Sequence, residues 1–306
     1  VLLYGLSFLF GATGTTDIAA IAPALASGHP YVKLGLVLAL AGLSFKIAAV
    51  PFHMWVPDTY EAAQTPFVAW LSVAPKAAGF VVLLRLYIEG AGSAAFVWVP
   101  VLTALASLTI VAGNLMAIPQ KNVKRLLAYS GVAHIGYMLM GLAAVSASGA
   151  GMILFYLVAY LFGNMGAFLC VQAVGTAMAS DDSDAYKGLA QRSPVLALSL
   201  LVFLLSLGGI PFVAGFWAKL FIFRAVVDQH MYALAFLGAV LTIVALYYYL
   251  VLSARMYVEK PDIEAPLPMM APLTVAILIC AIGVVVMGAY PEPWVQAVMN
   301  AANGLF

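Results

Sequence analysis

The chain has 306 residues, 65% of them hydrophobic and 8% charged, with a net charge of +1. Soluble domains carry about 25% charged residues, so a water-soluble globule is excluded. The near-neutral balance leaves no basic patch to hold a nucleic acid.

Apolar stretches of membrane-spanning length recur from end to end, and no alternating segments of β-barrel type appear. The predicted fold class is an all-α polytopic membrane protein. Residues 1–11 are apolar but would rise only about 16 Å as a helix, against a hydrocarbon core of about 30 Å. They lack a starting Met and a basic flank and are no signal peptide. Residues 1–12 read as the remnant of a transmembrane helix. A polar connection, GATGTTD, leads to a short apolar segment near 18–27. Spans are then predicted over 31–55, 66–89, 95–118, 125–146, 151–178, 194–227, 232–256 and 270–290. The polar break 178–193 reads as a linker between helices.

Two spans carry helix breakers. The stretch 194–227 is too long for one straight crossing and contains SLGGIPF, with Gly208, Gly209 and Pro211. The stretch 31–55 carries Gly42 and Pro51 around Lys46. Proline removes a helical hydrogen bond and glycine loosens the backbone. Interrupted backbone is tolerated in a membrane only where protein or water satisfies it, and paired interruptions point to an ion pathway.

Lys46, Lys76 and Lys219 sit deep in apolar spans, about 13, 15 and 12 Å from the nearer span end by helical rise. No Asp or Glu shares that depth. A charge in the hydrocarbon core costs roughly 3 kcal/mol by insertion scales, and a lysine stem is too short to snorkel so far. Desolvation penalises the ammonium form, so such lysines can load and release protons. Structural tethering is the bland reading. His134 lies in LLAYSGVAHIGYM with Ser130 at i−4 and Tyr137 at i+3, on one helical face. That seam fits a proton relay, or a histidine bonded to a backbone carbonyl. Asp58 and Glu61, in WVPDTYEAAQTP, either cap the helix beginning near Thr65 or form a proton inlet or an interface to another chain. Asn114 and Asn164 read as helix–helix hydrogen bonds, and the Tyr247–Tyr249 run as packing or interfacial anchoring.

Cys170 and Cys280 form no CxxC or Cys/His cluster, and His29, His53, His134 and His230 are scattered. Iron–sulfur, zinc or haem ligation is therefore not expected here. Lys121, Lys124, Arg125, Lys187, Arg192, Arg255 and Lys260 flank one set of span ends, and only Lys33, Arg85 and Arg224 the other. The richer side is expected to be cytoplasmic, which puts the C-terminus on the non-cytoplasmic side.

GLSFKIAAVPFHMWVPDTYE, LSVAPKAAGF, KRLLAYSGVAHIGYM and YKGLAQRSPVLALSLLVFLLSLGGIPFVAGFWAKLFIF, in this order, resemble the antiporter-like membrane subunits of respiratory complex I. LLYGLSFLFGATGTTD and LYYYL favour the N type, the counterpart of mitochondrial subunit 2. The resemblance implies a fourteen-helix bundle with two inverted five-helix repeats and interrupted seventh and twelfth helices. By this comparison the chain starts inside the sixth helix. Residues 13–89 would be the second part of the first proton-channel repeat, 90–256 the second repeat, and 257–306 the last helix and tail. Lys46, Lys76 and Lys219 would be the lysines of the seventh, eighth and twelfth helices. With His134 in the tenth, they would form a hydrated mid-membrane line. Pro75 stands where the family more often has Ser, and Ala62, Ala63 and Gln64 where it has a glycine-containing turn.

The resulting expectation is a non-redox subunit of a bacterial plasma-membrane NADH:quinone oxidoreductase that moves protons as quinone is reduced. NADH, flavin, iron–sulfur clusters and quinone would be bound elsewhere in the complex. Its partners would be other membrane-arm subunits, including further antiporter-like and small membrane subunits, with lipids around them. An Mrp-type cation/proton antiporter subunit and a scaffold without its own proton path are the alternatives.

Overall fold

The computed structural model describes residues 1–25, 29–261, 265–267 and 269–305. The described residues form fifteen α-helices and no strand; a single backbone bridge pairs Asn122 with Asp182. In chain order the helices are α1 Leu2–Thr13, α2 Ile18–Leu25, α3 Pro30–Ile47, α4 Trp55–Ala62, α5 Thr65–Leu71, α6 Ala74–Leu83, α7 Ala95–Ala117, α8 Val123–Ala143 and α9 Ala147–Met178. There follow α10 Leu189–Arg192, α11 Pro194–Gly208, α12 Ala214–Asp228, α13 Tyr232–Tyr257, α14 Ala271–Ala289 and α15 Glu292–Asn303. Residues 26 and 27 of the predicted short segment lie outside the described residues. Among the described residues, seven helical stretches are long and apolar enough to cross a membrane. The broken pair α11–α12 adds the eighth predicted crossing.

Local sequence sets the helix ends. The Asn122 side chain accepts from the Arg125 backbone N–H at 3.1 Å and starts α8, and the Ser146 hydroxyl does the same for Gly149 at 3.0 Å and starts α9. Proline occupies the first turn of α3, α5, α6, α11 and α14, where its missing N–H costs nothing. Gly14 closes α1 and Gly209 closes α11, each in the left-handed conformation.

The core is organised around α8, in which every residue except Arg125 is buried. Helices α4, α7, α9, α12 and α13 pack around it. Its contact with α7 is backbone to backbone: a Cβ on Gly113 would lie 2.4 Å from the Ala133 nitrogen, and one on Gly136 would lie 2.7 Å from the Ile110 nitrogen. Without a hydrophobic driving force between helices in lipid, such close approach is how they associate.

Both predicted interruptions are present. Helix α3 stops at Ile47, and the chain passes through Ala48, at φ 68°, and a cis Val50–Pro51 bond before α4. Between α11 and α12 it turns through Gly209, at φ 86°, and Phe212, at φ 75°. The span predicted over 66–89 is not one helix. It breaks after α5 at Ser72 and Val73, restarts at Ala74 with Pro75 in its first turn, and ends in a π-helical stretch, Leu84–Gly90. Pro75 cannot donate to a preceding carbonyl, so the break sits immediately before it. The predicted tail contains α15, a twelve-residue helix packed on the start of α9, with Met299 against Gly151.

Candidate functional site

The break before α6 places Lys76 in the first turn of the restarted helix. Its side chain is 2% exposed. The ammonium lies 5.8 Å from the ring centre of Tyr60 on α4 and 5.8 Å from that of Tyr160 on α9. Neither its Nζ nor the Tyr60 and Tyr160 hydroxyls have a hydrogen-bond partner among the described residues. Aromatic faces stabilise a cation without a counter-charge, so Lys76 is held by π density in place of a carboxylate.

Lys219, 3% exposed, is held differently. Its ammonium donates to the carbonyls of Leu207 at 2.9 Å and Gly208 at 3.1 Å, the orphan acceptors at the C-terminus of α11. The helix dipole concentrates negative potential there. Gly215, one turn before Lys219, makes this reach feasible. A Cβ at that position would overlap the Ser206 carbonyl oxygen of α11, at 1.8 Å. The Tyr137 ring centre lies 5.0 Å from the same ammonium.

His134 stands between the two lysines. Its ring centre is 5.1 Å from that of Tyr160, which flanks Lys76, and 6.4 Å from that of Tyr137, which flanks Lys219. Its Nδ1 is 2.8 Å from the Tyr156 hydroxyl and its Nε2 is 3.3 Å from that of Tyr249. The Tyr249 hydroxyl also bonds Ser130. The Tyr137 hydroxyl is 3.3 Å from the Gly238 carbonyl and 3.1 Å from the Thr242 hydroxyl. The predicted Ser130–His134–Tyr137 face is therefore buried and bonded to α9 and α13, and His134 makes side-chain bonds in place of one to a backbone carbonyl.

Lys46 is exposed among the described residues. It occupies the last turn of α3, and its stem reaches toward Gly79, where a Cβ would be 3.9 Å from the Lys46 Cγ. The break at Ala48 ends the helix, and no described element covers that face of it. Asp58 and Glu61 do not cap α5, whose N-cap residue Gln64 makes no side-chain cap bond. Both pair with Arg125, at 2.7 and 2.6 Å, and clamp α4 to the start of α8.

Tyr60, Tyr156 and Tyr160 also line the site. Tyr156 and Tyr160 stand four residues apart and so share one face of α9, a signal that was available. The Tyr247–Tyr249 run is not simply an anchor. Tyr247 is exposed, but Tyr248 is buried and donates to the Asn114 side chain at 3.1 Å, and Tyr249 joins Ser130 to His134. Asn114 and Asn164 tie helices together as expected, Asn164 donating to the Ser72 hydroxyl at 2.7 Å.

The sequence profile of the family described as NADH:quinone oxidoreductase/Mrp antiporter, TM, matches residues 1–245. A protein named NADH-quinone oxidoreductase subunit N, from Heliobacterium modesticaldum, is 46% identical over all of this chain and 65% of its own length. A chain of respiratory complex I from Thermus thermophilus, solved with bound aureothin, is 34% identical with a TM-score of 0.82, over 97% of this chain and 65% of that one. A chain of the Mrp complex from Dietzia sp. DQ12-45-1b has the same fold, with a TM-score of 0.89 at 23% identity over 99% of this chain and 65% of that one. The chain thus spans about 65% of the length of the curated relatives it matches. With its all-α bundle and interrupted helices, it belongs to the NADH:quinone oxidoreductase/Mrp antiporter transmembrane family.

Proposed function

We propose that this chain is the proton-conducting part of a non-redox membrane-arm subunit of a proton-translocating NADH:quinone oxidoreductase in a bacterial plasma membrane. One observation carries the reading. Two ammonium groups, of Lys76 and Lys219, are buried without an ion pair among the described residues, and one histidine and its tyrosines bridge the space between them. A purely structural membrane protein gains nothing from unpaired buried cations, which are costly. A relay needs them.

The mechanism is electrostatic. A charge change produced by quinone reduction in a neighbouring subunit alters the proton affinity of Lys46. Lys76 responds to Lys46, His134 to Lys76, and Lys219 to His134. Coulomb energies of a few kcal/mol between partly desolvated charges suffice to move a proton equilibrium by one or two decades. Lys76 and Lys219 differ in a useful way. The α11 carbonyls favour a charged Lys219, whereas Lys76 has only aromatic faces, and that asymmetry gives the relay a direction. NADH, flavin, iron–sulfur clusters and quinone belong to other subunits of the complex in this reading.

The test is Lys219→Ala and Lys76→Ala in the full-length subunit within the assembled complex, with protons moved per NADH oxidised as the readout. Translocation is expected to fall by at least the share of one antiporter-like subunit. Unchanged stoichiometry in both variants overturns the relay. Mrp-type exchange is the second reading, favoured by the shared fold alone. Sodium-dependent proton exchange with no redox donor present would select it.

A further inference from the structure

Where α9 ends, two strong donors are spent on thioethers. The half-buried Arg192 guanidinium meets the Met178 sulfur with both terminal nitrogens, at 3.3 and 3.2 Å, and its Nε donates to the Ala265 carbonyl at 3.1 Å. The neighbouring Ser193 hydroxyl is 3.5 Å from the Met269 sulfur. Arg192 pairs with no carboxylate among the described residues. A thioether is a weak acceptor, whereas a guanidinium presents a fork of N–H donors that matches the oxygens of a carboxylate or a phosphate.

These donors stand at one end of an apolar groove of about 610 Å3. Its walls are Pro66 of α5, Leu169, Ala173 and Ala177 of α9, and Met269 and Leu273 at the start of α14. Met178, which the guanidinium touches, directly follows Ala177, and Met269, which Ser193 touches, is itself part of the wall. From Leu169 to Ala177 the groove follows α9 for about 12 Å by helical rise. An unneutralised cation above an apolar slot between membrane helices is complementary to an anionic headgroup with its acyl chain.

We infer that this groove holds an acyl chain of an anionic phospholipid, whose phosphate binds Arg192 and the Ser193 hydroxyl. Phosphate oxygens replace the two sulfurs as acceptors, and the chain ties α5, α9 and α14 together. A zwitterionic headgroup brings its own cation to its phosphate and competes with Arg192, so the site selects net negative charge.

The test uses the full-length protein in its native membrane. The membrane is loaded with phosphatidylglycerol carrying a diazirine on its acyl chain, or with phosphatidylcholine carrying the same group, and labelled peptides are mapped after irradiation. Peptides holding Ala173 and Leu273 are expected to be labelled about fivefold more by phosphatidylglycerol, the factor that one basic residue near an anionic headgroup supplies. Arg192→Gln is expected to abolish that preference. Thr176→Phe fills the groove and leaves Arg192 in place, and is expected to lower labelling by both lipids. Excess inorganic phosphate is expected to change nothing. Equal labelling by the two lipids means surface lipid only and overturns the site. So does a preference that survives Arg192→Gln, competition by free phosphate, or the absence of label from these peptides because another protein covers the groove. If Arg192→Gln fails to accumulate, the two-lipid comparison in the unsubstituted protein decides. The labelling needs no redox or translocation assay, so it stands or falls apart from the proposed function.

Discussion

Among single residues, Tyr249 is the most exposed to test. Its hydroxyl is shared between Ser130 and His134. A neutral hydrogen bond contributes about 1 kcal/mol net, and leaving a buried partner unsatisfied costs about 1–3 kcal/mol. Tyr249→Phe is expected to slow NADH-driven proton uptake into membrane vesicles roughly tenfold, since about 1.4 kcal/mol on a barrier is a factor of ten. Uptake at the normal rate would remove Tyr249 from the relay. Lys76 and Lys219 were legible in the sequence because a lysine in a long apolar span stands out whatever surrounds it. Their tyrosines were not, because a buried tyrosine bonded to histidine and one anchoring an interface read alike in a sequence.

At the level of elements, the two interruptions were visible as Pro51 and as Gly208, Gly209 and Pro211, while the third, at Ser72 and Val73, was seen only as the anomaly of Pro75. A proline near a helix start reads as harmless in the first turn of a new helix and disruptive inside a long one, and the choice depends on what packs alongside. Two outcomes follow for these breaks. Gly215→Ala would drive a methyl into the Ser206 carbonyl, because the glycine Cβ position is 1.8 Å from that oxygen. The α11–α12 crossing must then open, at a cost of about 1–3 kcal/mol or more, and Lys219 is drawn off the Leu207 and Gly208 carbonyls. Lower thermal stability of the detergent-solubilised protein, together with weaker translocation, is the expected result; unaltered melting would contradict the packing. In the opposite sense, Ala48 closes α3 at φ 68°, where an L side chain is strained by roughly 1–2 kcal/mol. Ala48→Gly is expected to raise the melting temperature, and a lower value would count against that conformation.

Among the described residues, most of the ion pairs collect at one end of the molecule. Lys124 pairs with Asp181 at 2.8 Å, Arg125 with Asp58 and Glu61, and Asp184 with Lys187 at 3.4 Å and with Arg255. Arg85–Glu89 and Arg224–Asp228 lie within single helical turns away from this cluster. By the loop rule, the clustered end is proposed to face the cytoplasm. Asp182→Cys is therefore expected to react with a membrane-impermeant maleimide in inside-out vesicles and not in right-side-out ones; the reverse pattern inverts the assigned topology. The Asp184 carboxyl is held below the usual carboxylate range, first by Lys187 and then by Arg255. A depressed carboxyl contributes stability at neutral pH that is lost as pH falls through its folded value, below the ordinary Asp value of about 3.9. Asp184→Asn should flatten acid unfolding in that window only, as followed by the helical circular dichroism signal. An unchanged acid limb would show that the cluster carries no such linkage.

The sequence by itself determined the membrane class, the spans and their two marked breaks, the family, and two of the buried cations. The family follows from the resemblance carried by its ordered motifs; the rest follows from where polar atoms fall along a chain in a medium that cannot solvate them. The tertiary structure alone decided which side chains share the interior of the bundle. It placed Tyr160 and Tyr137 on either side of His134, fixed Lys219 on the carbonyls of α11, and joined Asp58 and Glu61 to Arg125. Contacts between helices depend on the rotation of each about its own axis, and close backbone approach at Gly113, Gly136 and Gly215 sets that rotation.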